Sequence, residues 1–183
     1  MAATWTHPDL GEFEYEIEWT KPVSMPAFAA FTYDRFDRHD PSDNTVPLTF
    51  DADDEEDTPT DAAAQLASRV VANQNELAKK VLNALWDDFN GRGPRSGMWW
   101  HNHLDEVVGV VEDVGLPAPA KADDLAALLL LQEIRIRRDV LDNEQPIAEL
   151  SFAAAFEEEH GVGILTDGKN ILGIGYSADV TPF

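Results

Sequence analysis

The chain has 183 residues, carries 13 Lys and Arg against 35 Asp and Glu for a formal charge of −22, is 44% hydrophobic and contains no cysteine. Its length and apolar content suit one folded domain, while the missing cysteines exclude disulfides, thiolate catalysis and cysteine-zinc sites. The negative field repels nucleic acid and anionic membranes and favours cationic partners or a salty milieu.

The N-terminal stretch lacks the basic and apolar regions of a secretory signal. The longest apolar run, residues 125–131, falls far short of the roughly 20 residues that cross a bilayer, so no membrane span and a cytoplasmic location are expected. Between residues 10 and 18, Phe13, Tyr15 and Ile17 alternate with Glu12, Glu14, Glu16 and Glu18, which predicts a half-buried strand with an acidic solvent face. Pro22 and Pro26 then interrupt. Residues 27–33 and 46–50 are the next predicted strands, separated by a polar loop over 34–44 that holds Arg35, Arg38 and His39. The acidic run over residues 51–57 is not a calcium loop, because Glu56 stands where glycine is needed and Ala62 where the bidentate glutamate is needed. It reads as a solvated loop.

Thr58 as cap and Pro59 at the first helical position open the next element. Leu66, Val70, Leu77, Val81, Leu85 and Phe89 then form a helical stripe that Asn90-Gly91 ends. One straight helix of that length would span about 45 Å, so a break near residues 73–75 is expected. The glycines of residues 91–97 lack phosphate-loop spacing, and no Lys-Ser/Thr follows them. His101, His103 and Asp105 suggest zinc, but Asn102 reads as the cap of a helix bearing Leu104, Val107, Val108 and Val111. On that helix His103 and Asp105 would face about 200° apart, so no metal is assigned. The adjacent Trp99 and Trp100 are either layer-sealing aromatics or anchors for a partner. Asp123 or Asp124 caps a short helix with Leu125, Leu128 and Leu129, after which Ile134 and Ile136 alternate with Arg135 and Arg137 as a strand. Arg135, Arg137 and Arg138 form the densest basic cluster, suited to cross-strand acids or to an anionic partner. Residues 142–145 turn the chain into a strand beginning near Ile147.

Ala148, Leu150, Phe152, Ala154 and Phe156 share one face of that strand, and Asp167-Gly168 predicts a two-residue hairpin loop after it, giving a three-stranded meander. With Thr166 opposite Lys169, Gly163 would face Leu172, Val162 would face Gly173, Gly161 would face Ile174 and His160 would face Gly175. Glycines set against large side chains leave room for a further layer to pack closely.

Phe156-Glu-Glu-Glu-His160-Gly-Val-Gly-Ile164, then Asp167-Gly168-Lys169 and a strand ending at Gly175, resembles the hallmark of a bacterial family of small domains of unknown function. That hallmark reads Trp-Asp-x-Glu-His-Gly-Leu-Gly-Val; here Phe156 replaces Trp, Glu157 replaces Asp and Val162 replaces Leu. The resemblance implies an α+β domain without an assigned chemistry, and some relatives look like toxin-immunity proteins.

His160 beside Glu157, Glu158 and Glu159 is the obvious proton-transfer candidate. Strand alternation leaves Glu158 as its same-face neighbour, and a structural histidine is the reading preferred here. The fold expected is α+β within one domain: an antiparallel sheet from N-terminal strands (residues 10–50) and a C-terminal meander (132–176), packed against helices from the middle (58–131). The function expected is non-enzymatic binding of a basic protein, without cofactor or metal, with Trp99, Trp100, Glu158, His160, Arg135 and Arg137 as candidate contacts. A small hydrolase centred on His160 or on the His101/His103 pair, and a domain adapted to high salt, are the alternatives.

Overall fold

A computed structural model describes residues 3–34, 44–138 and 145–183. In chain order its elements are β1 (Thr4–His7), β2 (Gly11–Tyr15), β3 (Trp19–Ser24), a 3-10 turn (Pro26–Phe28) and β4 (Thr45–Phe50). Then come α1 (Asp61–Ala72), α2 (Gln74–Phe89), α3 (Leu104–Asp113), a 3-10 helix (Ala122–Leu128), β5 (Leu129–Arg137), β6 (Ile147–Ala154), β7 (Glu157–Thr166) and β8 (Ile171–Tyr176). The architecture is α+β. Most of the expected loop at 34–44, with Arg35, Arg38 and His39, and the turn residues 142–144 lie outside the described residues.

The strands form one eight-stranded sheet in sequence order, antiparallel except where β4 runs parallel to β5. Both halves are meanders that local turns can close, whereas β4 and β5 are joined through the helices, and a parallel pair needs such a crossover. Phe13, Trp19, Leu48, Phe50, Ile134, Ile136, Leu150, Phe152, Val162 and Ile164 make one core with Leu66, Val70, Leu77, Val81, Leu85 and Phe89 of the helices. The helices therefore cover one face of the sheet.

The helical stripe breaks where its length required. Asn73 separates α1 from α2, and its side-chain amide donates to the carbonyl of Gly168 at 2.8 Å, tying the break to the β7–β8 loop. The cap lies later than expected: Thr60, not Thr58, has extended backbone (φ −70°, ψ 159°) ahead of the first helical residue Asp61, and its hydroxyl accepts from the N–H of Ala63 at 3.2 Å. Asn102 is likewise not the α3 cap. It adopts φ 61°, a conformation asparagine tolerates, and donates its N–H to the Asp88 carbonyl. The short helix at 122–128 is 3-10 and begins after Lys121, so Asp123 and Asp124 stand in its first turn instead of capping it; the Asp124 carboxylate accepts from the N–H groups of Ala120 and Lys121, and Leu129 belongs to β5.

At the N-terminal end the corrections are larger. β1 has no strong sequence signal, residues 27–33 form a 3-10 turn and irregular chain instead of a strand, and Ile17 sits in the β2–β3 turn, 82% exposed. β3 exists despite Pro22. The N–H of Met25 donates to the Asn44 carbonyl, so odd-numbered β3 residues bond to β4, and Pro22 faces Pro47 at a position where neither needs a donor.

The C-terminal hairpin has a four-residue connection, so the expected register slips. Asp167 accepts from the N–H groups of Lys169 and Asn170 at 2.8 and 2.7 Å, Thr166 pairs with Ile171, and beyond a bulge Leu165 faces Gly173 and Gly163 faces Gly175. The closely packed layer is nonetheless present, and it is the chain's own tail. A Cβ at Gly163 would lie 2.8 Å from Val180, one at Gly175 3.1 Å from Val180, and one at Gly173 would overlap the Thr181 carbonyl. Val180 also closes a second small core with Ile147 and Leu165 on the face opposite the helices.

Candidate functional site

One line of paired residues crosses the helix-free face from edge to edge: Thr4, Glu14, Thr20, Thr49, Arg135, Glu149, Leu165 and Gly173. It divides that face into three zones. The β6–β8 zone is apolar and glycine-rich and lies under the tail. The middle zone is ionic. The β1–β4 zone is polar.

Arg135 and Arg137 hold the middle zone. Arg135 donates to Glu18 at 2.5 Å and Asp51 at 3.1 Å and stands 3.4 Å from Glu133. Burial works against its charge, but these carboxylates outweigh that and raise the guanidinium pKa above the ordinary arginine value. Burial pushes the Asp51 carboxyl up, even with Arg135 opposing it. Arg137 donates to Glu149 at 2.8 Å, and the Glu149 carboxylate, whose side chain is only 1% exposed, also accepts from Ser151, Ser177 and the N–H of Ala178. This pair fastens the tail. Arg138 contacts Asp57 at 2.7 Å and holds its carboxyl below the usual range. These arginines face local acids, the first of the two readings that the sequence allows.

Trp99, Trp100, Glu158 and His160 come together elsewhere, around an irregularity in β7. Gly161 has φ 67°, and a side chain there would overlap the Phe152 carbonyl; the β6–β7 register shifts between Phe152 and Ala154. The shift defeats simple alternation. His160 takes Glu157, not Glu158, as its partner at 3.0 Å, and its ring lies 4.7 Å from that of Tyr176 instead of over Gly175. The other Glu157 oxygen accepts from the Trp99 indole at 2.8 Å, while Glu158 accepts from the Tyr33 hydroxyl. Trp100 is fully buried, edge-on to Phe156 and Tyr176. The hydrogen bond to Glu157 lifts the His160 imidazole above the ordinary histidine value, against burial and with help from Glu159 and Asp179. His160, Glu158, Glu159, Tyr33 and Asp34 line a cleft of about 250 Å³.

His101 and His103 go to separate acids, His101 to buried Asp88 at 2.6 Å and His103 to Glu106 at 3.0 Å. Among the described residues no group of three or more His, Asp or Glu is placed to hold a metal, and no helix is long and apolar enough to cross a membrane.

The β1–β4 zone was not foreseen as a site. β2 and β3 pair only at Glu14–Thr20 and Tyr15–Trp19, and beyond Glu14 they part. The opening is a groove of about 410 Å³ lined by Glu12, Glu14, Glu16, Thr20, Pro22 and Pro47 among others. Lys21 bridges the parted strands, donating its ammonium to the Leu10 carbonyl and lying over the Phe13 ring. The alternating glutamates were legible in the sequence as an acidic strand face. The parting of β2 from β3 was not.

No curated protein and no solved structure matches the chain. A family model described as a domain of unknown function (DUF6985) matches residues 9–181, nearly the whole sheet with its helices, and the chain belongs to that family.

Proposed function

We propose that this chain is a protein-binding module that holds a cationic segment of a partner on the open, acid-lined part of its sheet. One observation carries the reading: the groove between β2 and β3 has exposed Glu12, Glu14 and Glu16 at its rim and Pro22, Pro47 and Val46 along its walls. Lysine and arginine fit such a surface, laying aliphatic stems on the prolines while their charged heads reach the carboxylates. The net charge of −22 adds long-range attraction for the same kind of partner. Occupation of a basic toxin is the form of this activity that the likeness of some family relatives to immunity proteins suggests.

The test is calorimetric titration with oligolysine at several salt concentrations. The variant Glu12→Gln/Glu14→Gln/Glu16→Gln is compared with Glu76→Gln/Glu112→Gln/Asp113→Asn, which removes equal charge from exposed helix positions. Three surface ion pairs together amount to roughly a tenfold loss of affinity for the groove variant. Equal losses in both variants would reduce the interaction to diffuse charge and remove the groove from it.

A further inference from the structure

We infer that the partner segment docks as an added β-strand along the outer edge of β1. This rests on the acidic-face reading above: from the β1 edge the segment's cationic side chains reach the groove at Glu12 and Glu14, while Pro22 and Pro47 lie beyond its backbone on β3 and β4.

The hydrogen-bond parity of the edge is fixed. The N–H of Tyr15 donates to the Ala3 carbonyl, and in the register Thr4–Glu14, Trp5–Phe13, Thr6–Glu12 this turns the backbone of Trp5 and His7 toward β2. The N–H and C=O groups of Thr4 and Thr6 therefore point away from the sheet. The opposite edge differs, since there the Leu172 carbonyl accepts from the N–H of Phe183, a residue of the tail. Apart from its short length, Thr4–His7 carries none of the usual defences of an edge strand: it has no lysine, proline or bulge.

Side-chain chemistry selects the occupant. Thr4 and Thr6 lie on the same face as Glu14 and Glu12 and are short. With strands about 4.8 Å apart, a lysine on an added strand reaches over the threonine to a glutamate about 10 Å away. On the other face half-buried Trp5 borders the edge and offers an apolar contact. The segment that fits is extended and alternates cationic with apolar residues, which is strand addition with a charge code. A second copy of this chain fits poorly, because two bodies of charge −22 repel each other.

The experiment uses a synthetic octapeptide alternating Lys and Val, and the same peptide N-methylated on alternate residues, which blocks backbone pairing without changing charge. Affinities are measured for the unaltered protein, for Thr6→Pro and for the Glu12/Glu14/Glu16 glutamine variant. Thr6→Pro deletes an outward N–H that the sheet does not use, so its unfolding midpoint should stay unchanged. The expected result is a roughly tenfold or greater loss on N-methylation and on Thr6→Pro. Should the methylated peptide bind as well as its parent while both are lost in the glutamine variant, strand addition is wrong and the acidic face stands. If neither peptide binds, the acidic-face reading falls with it. A protein that sediments alone as a dimer, made monomeric by Thr6→Pro, would assign the edge to a second copy and overturn the proposal. N-methylation decides the matter by itself if Thr6→Pro does not fold.

Discussion

At the scale of single residues, glycines and one histidine set the C-terminal end of the sheet. Gly173 leaves room for the Thr181 carbonyl, so Gly173→Ala forces tail or strand to move and should lower stability by about 1–3 kcal/mol in urea denaturation. A Gly173→Ala protein as stable as the unaltered one would show that the tail yields freely. His160 tests the β7 cluster. Its folded pKa is raised, chiefly by Glu157, so its stabilising contribution is complete below the unfolded value near 6.5 and fades as pH rises through the higher folded value. The difference in urea midpoint between the unaltered protein and His160→Gln should therefore be larger on the acidic side of that window than on the alkaline side. A difference independent of pH would uncouple His160 from Glu157. The role of the glycines was legible because a missing side chain implies a neighbour. The identity of the partner at His160 was not, because the irregularity at Gly161 exchanges the faces that alternation assigns.

At the scale of elements, long periodic patterns were the readable part. The α1–α2 stripe and its break, the β6–β8 meander and the alternation in β5 all follow from spacing. β1 and β3 escaped because the first is short and the second contains a proline whose harmlessness depends on which neighbour its backbone faces. The hairpin register escaped because the Asp167 carboxylate caps a longer loop than Asp-Gly alone suggests. Burial works against that carboxylate, but the N–H groups of Asn170 and Lys169 outweigh it and hold its pKa below the usual range. The tail depends on another carboxylate. Replacing Glu149 by Gln leaves Arg137 without its charged partner in a largely buried setting and should cost about 3 kcal/mol. It should also expose residues 177–183 to carboxypeptidase. Unchanged proteolysis would mean that Val180 in its glycine bed holds the tail without ionic help.

At the scale of the whole molecule, charge and topology act separately. Thirty-five acids against thirteen bases repel one another across the surface, and at about 1 M salt the screening length falls to about 3 Å. Thermal unfolding should move to higher temperature as neutral salt is added, while affinity for cationic segments should fall. An unfolding temperature indifferent to salt would show that local pairs such as those around Arg135 already balance the field. Composition announced this balance. It could not announce the open part of the sheet, which exists because two strands part and a tail covers only the other end.

The parallel join between β4 and β5 has a kinetic meaning. Leu48, Thr49 and Phe50 meet Ile134, Arg135 and Ile136 across more than eighty intervening residues, whereas every other strand meets a nearer neighbour. The slow event is bringing these two strands together across so long a loop, which places the folding nucleus at the join and leaves the outer strands of each meander to complete later. Leu48→Ala should slow refolding in stopped-flow measurements, and Ile174→Ala, far from the join, should chiefly hasten unfolding. The reverse pattern would place the nucleus in the C-terminal hairpins and make the seam a late formality.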